Sequence, residues 1–251
     1  MDNLLEINNL LKTFDGLRAV DDFSITINQG SITGLIGPNG AGKTTLFNVI
    51  TGFLDLEVGK ILFKSQDISN WPPYKVAKIG ISRTFQDLRL ISRLSVLDNI
   101  LLSCPNQVGE NFLPAILQPR RVLAEEKLNK KKAKEILEFV GLTDKQNDLA
   151  NNLSYGQQKL LTLACCLATD AELLLLDEPV SGIHPDMIET TIKVRKKLIQ
   201  LGKTILYIEH NIEAVRQVSG HVIVMDHGQK IADGPPLEIL NNQEILEAYL
   251  E

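Results

Sequence analysis

The chain has 251 residues, 44% hydrophobic and 23% charged, with a formal net charge of −5. That length holds one large domain, or a domain with a subdomain, around a substantial core, and the composition is that of an ordinary globular protein. The acidic balance argues against a non-specific nucleic-acid binder, and three cysteines without a C-x-x-C argue against a disulfide framework or a zinc site and for a reducing cytosol.

The start, residues 1–6, lacks the basic-then-apolar pattern of a signal peptide. No uninterrupted apolar run approaches the roughly 20 residues that span a bilayer. A membrane role therefore requires another chain to do the spanning. Cys165 and Cys166 read as buried small apolar side chains.

Residues 4–11 and 19–28 read as strands. In the second, Phe23, Ile25 and Ile27 alternate with Ser24, Thr26 and Asn28, a half-buried period of two. Asp15-Gly16 marks the turn between them. Phe14, just before that turn, fits either core packing or a flat face for a purine ring. Residues 31–36 form a short apolar strand.

The next stretch is Gly37-Pro38-Asn39-Gly40-Ala41-Gly42-Lys43-Thr44-Thr45, followed by a helix over 43–50 that Gly52 closes. It fits G-x-x-x-x-G-K-[ST], the phosphate-binding loop of nucleotide triphosphatases, with the strand and helix on either side that the motif requires. Gly37, Gly40 and Gly42 let the backbone turn tightly and approach an anion without an intervening side chain. Successive N–H groups point inward where the helix dipole is positive. Lys43 adds a full charge for the β- and γ-phosphates, and Thr44 a hydroxyl for Mg²⁺.

A strand over 59–64, the loop Trp71-Pro72-Pro73 and a helix over 74–79 follow. Residues 81–85 read as a strand with Gln86 at its exit. From 87 to 167 the pattern is mostly helical. Ser95 caps a helix over 95–103. A loop over 105–119 precedes an amphipathic helix over 123–140, stopped by Gly141. On that helix Lys130, Lys131, Lys132 and Lys134 read as a solvated face opposite Leu128, Ile136 and Leu137. Ser154 caps the next helix.

Leu173-Leu174-Leu175-Leu176 is a fully apolar strand of the kind buried in a parallel sheet. It ends in Asp177-Glu178. Ligands of open α/β sheets bind at that end of the strands. Asp177 is suited to hold Mg²⁺, and Glu178 to polarise an attacking water. A helix over 186–201 and a strand over 204–208 follow. His210 stands after that strand, where it could reach a γ-phosphate; Gln86 could do the same through Mg²⁺ or water. A helix over 211–218, a hairpin around His227-Gly228 and a helical tail over 236–250 complete the chain. The element order implies an α/β three-layer core, with antiparallel strands at the N-terminus and an inserted helical subdomain.

Gly37 to Thr44, Gln86, Leu153-Ser154-Tyr155-Gly156-Gln157, Leu173 to Glu178 and His210 follow one another in the order of an ABC-type ATPase. L-S-Y-G-Q resembles that family's signature, L-S-G-G-Q. Arg83-Thr84-Phe85-Gln86, Ser154-Tyr155-Gly156-Gln157-Gln158, Ile208-Glu209-His210 and the ending Glu247-Ala248-Tyr249-Leu250 further resemble the larger ATP-binding subunit of branched-chain amino-acid importers. Urea-type importer and lipopolysaccharide-type exporter ATPases are near relatives, and soluble non-transport ABC proteins a more remote alternative.

The resemblance implies a single ABC ATPase domain, with 1–86 and 168–251 as nucleotide-binding core and 87–167 as helical subdomain. It implies ATP and Mg²⁺ as cofactors, and ATP hydrolysis. Phe14 would stack on adenine; Gly37 to Thr45 would cradle the phosphates; Thr44, Gln86 and Asp177 would serve the metal; Glu178, His210 and Gln86 would act in catalysis. Ser154 and Gly156 would reach the γ-phosphate held by a second ATPase subunit, itself or a paralogue, in a head-to-tail dimer. Transmembrane permease subunits would dock near residues 86–100, where Leu88, Leu90, Ile91 and Leu94 are apolar, and a substrate-binding protein would act indirectly. The chain would sit peripherally on the cytoplasmic face of the membrane. His184 stands where the family usually has Asp or Asn, in a loop that touches the partner's site.

Overall fold

The computed structural model describes residues 2–85, 88–110, 119–179, 194, 197–198 and 201–242. They divide into two compact units, one built on residues up to Arg83 and from Glu172 onward, the other on Thr84–Ala171.

The first unit holds two sheets. A four-stranded antiparallel sheet contains β1 (Asn3–Phe14), β2 (Leu17–Asn28), β4 (Val58–Phe63) and β5 (Gln66–Asp67), in the order β2-β1-β4-β5. The strands β1 and β2 run longer than their alternation implied, up to the two-residue turn at Asp15 (φ 49°) and Gly16 (φ 86°). Positive φ at both central residues matches the twist of the flanking strands and extends the pairing to the turn.

The second sheet has six strands in the order β10-β9-β3-β8-β7-β6. These are β3 (Ile32–Ile36), β6 (Ile81–Arg83), β7 (Leu173–Asp177), β8 (Thr204–Ile208), β9 (His221–Asp226) and β10 (Gln229–Gly234). All but the β9–β10 hairpin pair are parallel. Every residue of β3, β7 and β8 is buried, as expected of central parallel strands covered on both faces. The expected strand over 81–85 stops at Arg83.

Helix α1 (Lys43–Ile50) follows β3, and the short α2 (Pro73–Lys78) precedes β6. Leu46, Phe47, Val49 and Ile50 of α1 join Phe23, Phe63, Leu175 and Leu206 in one hydrophobic core. Further on lie α6 (Ile212–Val218), capped by the Asn211 side chain, and α7 (Pro236–Ile239). The helix expected over 236–250 ends at Ile239, with residues 240–241 in a turn; its residues 243–250, and most of the helix expected over 186–201, lie outside the described residues.

The second unit is helical: α3 (Val96–Leu102), α4 (Pro119–Val140) and α5 (Tyr155–Ala168). Ser95 accepts from the Asp98 N–H at 3.0 Å and caps α3 as expected. On α4 the buried stripe is Ala133, Leu137 and Val140, whereas Leu128 is 67% exposed. The expected placing of Leu128 on the apolar face is therefore corrected; it lies one residue off the 3.6-residue stripe. The lysine run is solvated except at Lys132. Its ammonium donates to the Ala168 carbonyl at the end of α5 and pairs with Asp170 (2.6 Å), a cation placed where the helix dipole is negative.

All three cysteines are free thiols. Cys104 and Cys166 are buried; Cys165 is partly so, with its thiol 3.4 Å from the Asn99 carbonyl. Burial pushes the Cys165 thiol up to about 12 and raises that of Cys104.

The segment before α3 is tied down by one side chain. The buried Asn99 amide accepts from the Ile91 N–H at 2.9 Å and donates to the Ile91 and Ser95 carbonyls at 3.2 and 2.9 Å. Replacing it leaves the Ile91 N–H without its partner, while the Ile91 and Ser95 carbonyls keep the Leu94 and Asn99 N–H groups. Asn99→Ala is expected to cost about 1–3 kcal/mol, read as a lowered urea midpoint at unchanged m-value.

Candidate active site

Sheet register gathers the candidate residues. Leu35 of β3 pairs with Ile208 of β8, and Ile208 with Asp177 of β7. Three neighbouring parallel strands thus end at one level. The glycine-rich loop leaves the first, His210 follows the second, and Asp177 closes the third.

In the loop, Gly37, Gly40 and Gly42 have φ of 154°, 83° and 101°. Glycine at 37 and 42 serves the tight turn expected of it and has a further cause. A Cβ on Gly42 would lie 2.1 Å from the Ala19 carbonyl oxygen, and one on Gly37 1.9 Å from that of Met225. Close backbone packing within the protein excludes side chains there. Only at Gly40 does the missing Cβ leave open space.

Helix α1 starts on Gly42 with no side-chain cap and no acid in its first turn. Its leading N–H groups and dipole therefore face outward in the arrangement that attracts an anion. Lys43 is buried, and its ammonium donates to the Gly37 and Pro38 carbonyls, both at 2.7 Å. Burial lowers the Lys43 pKa from its usual value, against the opposing pull of Glu178 and Asp177. The ammonium and both carboxylates thus share one electrostatic environment. Thr44 is exposed beside it in sequence.

Asp177 is buried, and burial raises its pKa against the opposing hydrogen bond and charge of Arg83. Arg83 donates to Asp177 Oδ2 at 3.0 Å and to Asn48 Oδ1 at 2.7 Å. Sequence reasoning used Arg83 only as a family marker. A cation ending the strand next to β7 was the available signal.

Glu178 has a left-handed backbone (φ 46°), and its N–H donates to the Ile208 carbonyl at 3.0 Å. Its carboxylate meets His210: Oε1 lies 3.0 Å from Nε2. The structure therefore pairs two residues that sequence placed only on separate strands. A carboxylate held by an imidazole is an oriented proton acceptor.

Phe14 ends β1 at 43% exposure, with the Lys12 ammonium 5.4 Å from the ring centroid. The exposure rules out core packing and leaves a ring face that can stack. Gln86 and His184 lie outside the described residues.

In the helical unit, Ser154 opens α5 with a capping box: its Oγ accepts from the Gln157 N–H at 3.4 Å, and the Gln157 side chain accepts from the Ser154 N–H at 3.0 Å. The hydroxyl keeps its own proton for donation. Ser154 is exposed and Gly156 buried. Tyr155, in place of the family's glycine, is 47% exposed, with the Lys159 ammonium 5.1 Å from its ring centroid.

A hydroxyl and a carboxylate are hard oxygen donors. Among the described residues no group of three or more His, Cys, Asp or Glu could hold a metal by itself. Thr44 and Asp177 fit Mg²⁺, which takes one or two protein oxygens and completes its shell with water and phosphate.

The family model described as ABC transporter matches residues 20–181. The chain is 39% identical over 247 residues to the probable branched-chain amino acid transport ATP-binding protein LivG of Archaeoglobus fulgidus, covering 98% of this chain and 95% of that one. It is 36% identical over 251 residues to the high-affinity branched-chain amino acid transport ATP-binding protein LivG of Escherichia coli K12, covering 98% and 97%. Among solved structures, an ATP-binding cassette of an ABC transporter in its ADP conformation superposes with a TM-score of 0.85 at 34% identity, over 100% of this chain and 99% of that one. With its two sheets, its glycine-rich loop and its paired Glu178 and His210, this chain belongs to the ABC transporter family and is an ATP-binding cassette.

Proposed function

We propose that this chain is the ATP-hydrolysing subunit that energises import of branched-chain amino acids through separate membrane subunits. One observation carries the hydrolytic part: Lys43, Asp177 and the Glu178–His210 pair converge at the ends of three adjacent parallel strands. The substrate class rests on the names of the full-length relatives.

The uncapped N–H groups of α1 and the Lys43 ammonium bind the β- and γ-phosphates, within the cradle from Gly37 to Thr45. Phe14 stacks on the adenine. Thr44, Asp177 and Gln86 hold Mg²⁺, which when bound neutralises phosphate charge. Glu178 accepts a proton from the attacking water, and His210 orients Glu178 and reaches the γ-phosphate.

Ser154 and Gly156 complete the site from a second copy or a paralogue, in a head-to-tail dimer. The chain acts as one ABC ATPase domain, with residues 87–167 as its helical subdomain. Leu88, Leu90, Ile91 and Leu94 receive a cytoplasmic helix of the permease. No helix among the described residues is long and apolar enough to cross a membrane, which agrees with a peripheral subunit at the cytoplasmic face. A substrate-binding protein acts through the permease.

Glu178→Gln is expected to keep ATP binding and lose turnover by about a hundredfold or more; a variant that hydrolyses at the wild-type rate removes Glu178 from this role. Reconstitution with the membrane subunits and a panel of binding proteins tests the substrate: a branched-chain amino-acid binding protein should raise ATPase activity, and stimulation by a urea-binding protein alone overturns that assignment.

Lys43→Met should lose tight ATP binding, measured by calorimetry. It also carries a pH signature. Burial lowers the Lys43 pKa in the folded state, so as pH rises toward 10.5 the unfolded chain holds the proton longer. The wild type should therefore gain stability relative to Lys43→Met as the pH rises toward 10.5 in urea unfolding.

A further inference from the structure

We infer that Arg83 is a positioning residue for the metal side of the site: it locks α1, which carries Thr44, to β7, which carries Asp177. The inference rests on the nucleotide-binding reading of that site.

The pair is almost dry. The Arg83 and Asp177 side chains are each 4% exposed, with Nη2 3.0 Å from Oδ2. Nη1 of the same guanidinium donates to Asn48 Oδ1 at 2.7 Å and lies 3.5 Å from Thr51 Oγ1. Its centre sits 5.4 Å from the Phe47 ring centroid. Asn48 stands four residues after Thr44, one turn along the same helix face. Phe47, Asn48 and Thr51 belong to α1 or its C-cap; Asp177 is the last residue of β7. One planar, always-charged group thus spans both elements.

The shape of the arginine head group matters. Its fork makes two directed bonds at a fixed angle, so it sets a distance and an orientation. A lysine keeps the charge but reaches only as a point donor. Asp177 engages Arg83 through Oδ2, which restrains its carboxylate. Metal binding through one or two protein oxygens demands near-ideal octahedral placing. A loosened carboxylate loses that geometry while the N–H groups of α1 and Lys43 still bind phosphate.

The test separates metal-dependent from metal-independent binding. Arg83→Lys and Asn48→Ala are made in the Glu178→Gln background, and ATP affinity is measured by calorimetry with excess Mg²⁺ and with EDTA. Arg83→Lys is expected to raise the Mg²⁺ concentration for half-maximal tightening about tenfold, with EDTA affinity within twofold of the parent. Asn48→Ala, which leaves the buried ion pair in place, should shift it in the same direction by less. Unchanged Mg²⁺ dependence in both variants overturns the inference. So does an equal loss of affinity with and without metal, the mark of a merely structural role. A parent protein that binds no ATP under either condition overturns instead the nucleotide reading beneath it.

Discussion

Two main-chain carbonyls set the shape of the glycine-rich loop. Ala19 of β2 and Met225 of β9 approach so closely that no side chain fits at Gly42 or Gly37. Further bonds seal the contact: Gly228 donates to the Ala41 carbonyl at 3.0 Å, and Asp21 to the Gly228 carbonyl at 2.9 Å. The loop is thereby clamped between a strand of the antiparallel sheet and the hairpin of the six-stranded one. The contacts that shape it belong to the protein itself, which lowers what binding has to order.

The clamp allows an arrangement that folding alone would disfavour. Lys43 is buried among carbonyls, Asp177 is buried against Arg83, and Glu178 adopts a backbone conformation uncommon for its residue type. Charges removed from water and a strained backbone each cost stability. They persist where the surrounding structure over-determines them, here the fully buried strands β3, β7 and β8. Such violations of folding preference mark a site shaped for chemistry.

Much of this was legible in the sequence because its signals are local. The period-two alternation of β2, the Ser95 and Ser154 caps, the four leucines before Asp177 and the glycine-rich loop each report on a few adjacent residues. What escaped depends on residues far apart. The 3.0 Å pairing of Glu178 with His210 arises from the β7–β8 register across 32 positions. The carbonyls that demand Gly37 and Gly42 come from other strands. Lys132 reads as one more surface lysine until the end of α5 is brought beneath it. Leu128 differs in cause: its hydrophobicity points inward, but its helical spacing places it off the buried stripe.

The state of the three thiols has a practical side. A sulfur reacts with alkylating or oxidising reagents as the thiolate, and burial keeps Cys165 protonated through the range of ordinary work, with Cys104 shifted the same way. The native protein is in effect a quiet background for thiol chemistry. A cysteine introduced at an exposed position, such as Leu17 or Leu237, would carry a fluorophore or spin label nearly alone, without first stripping sulfur from the interior.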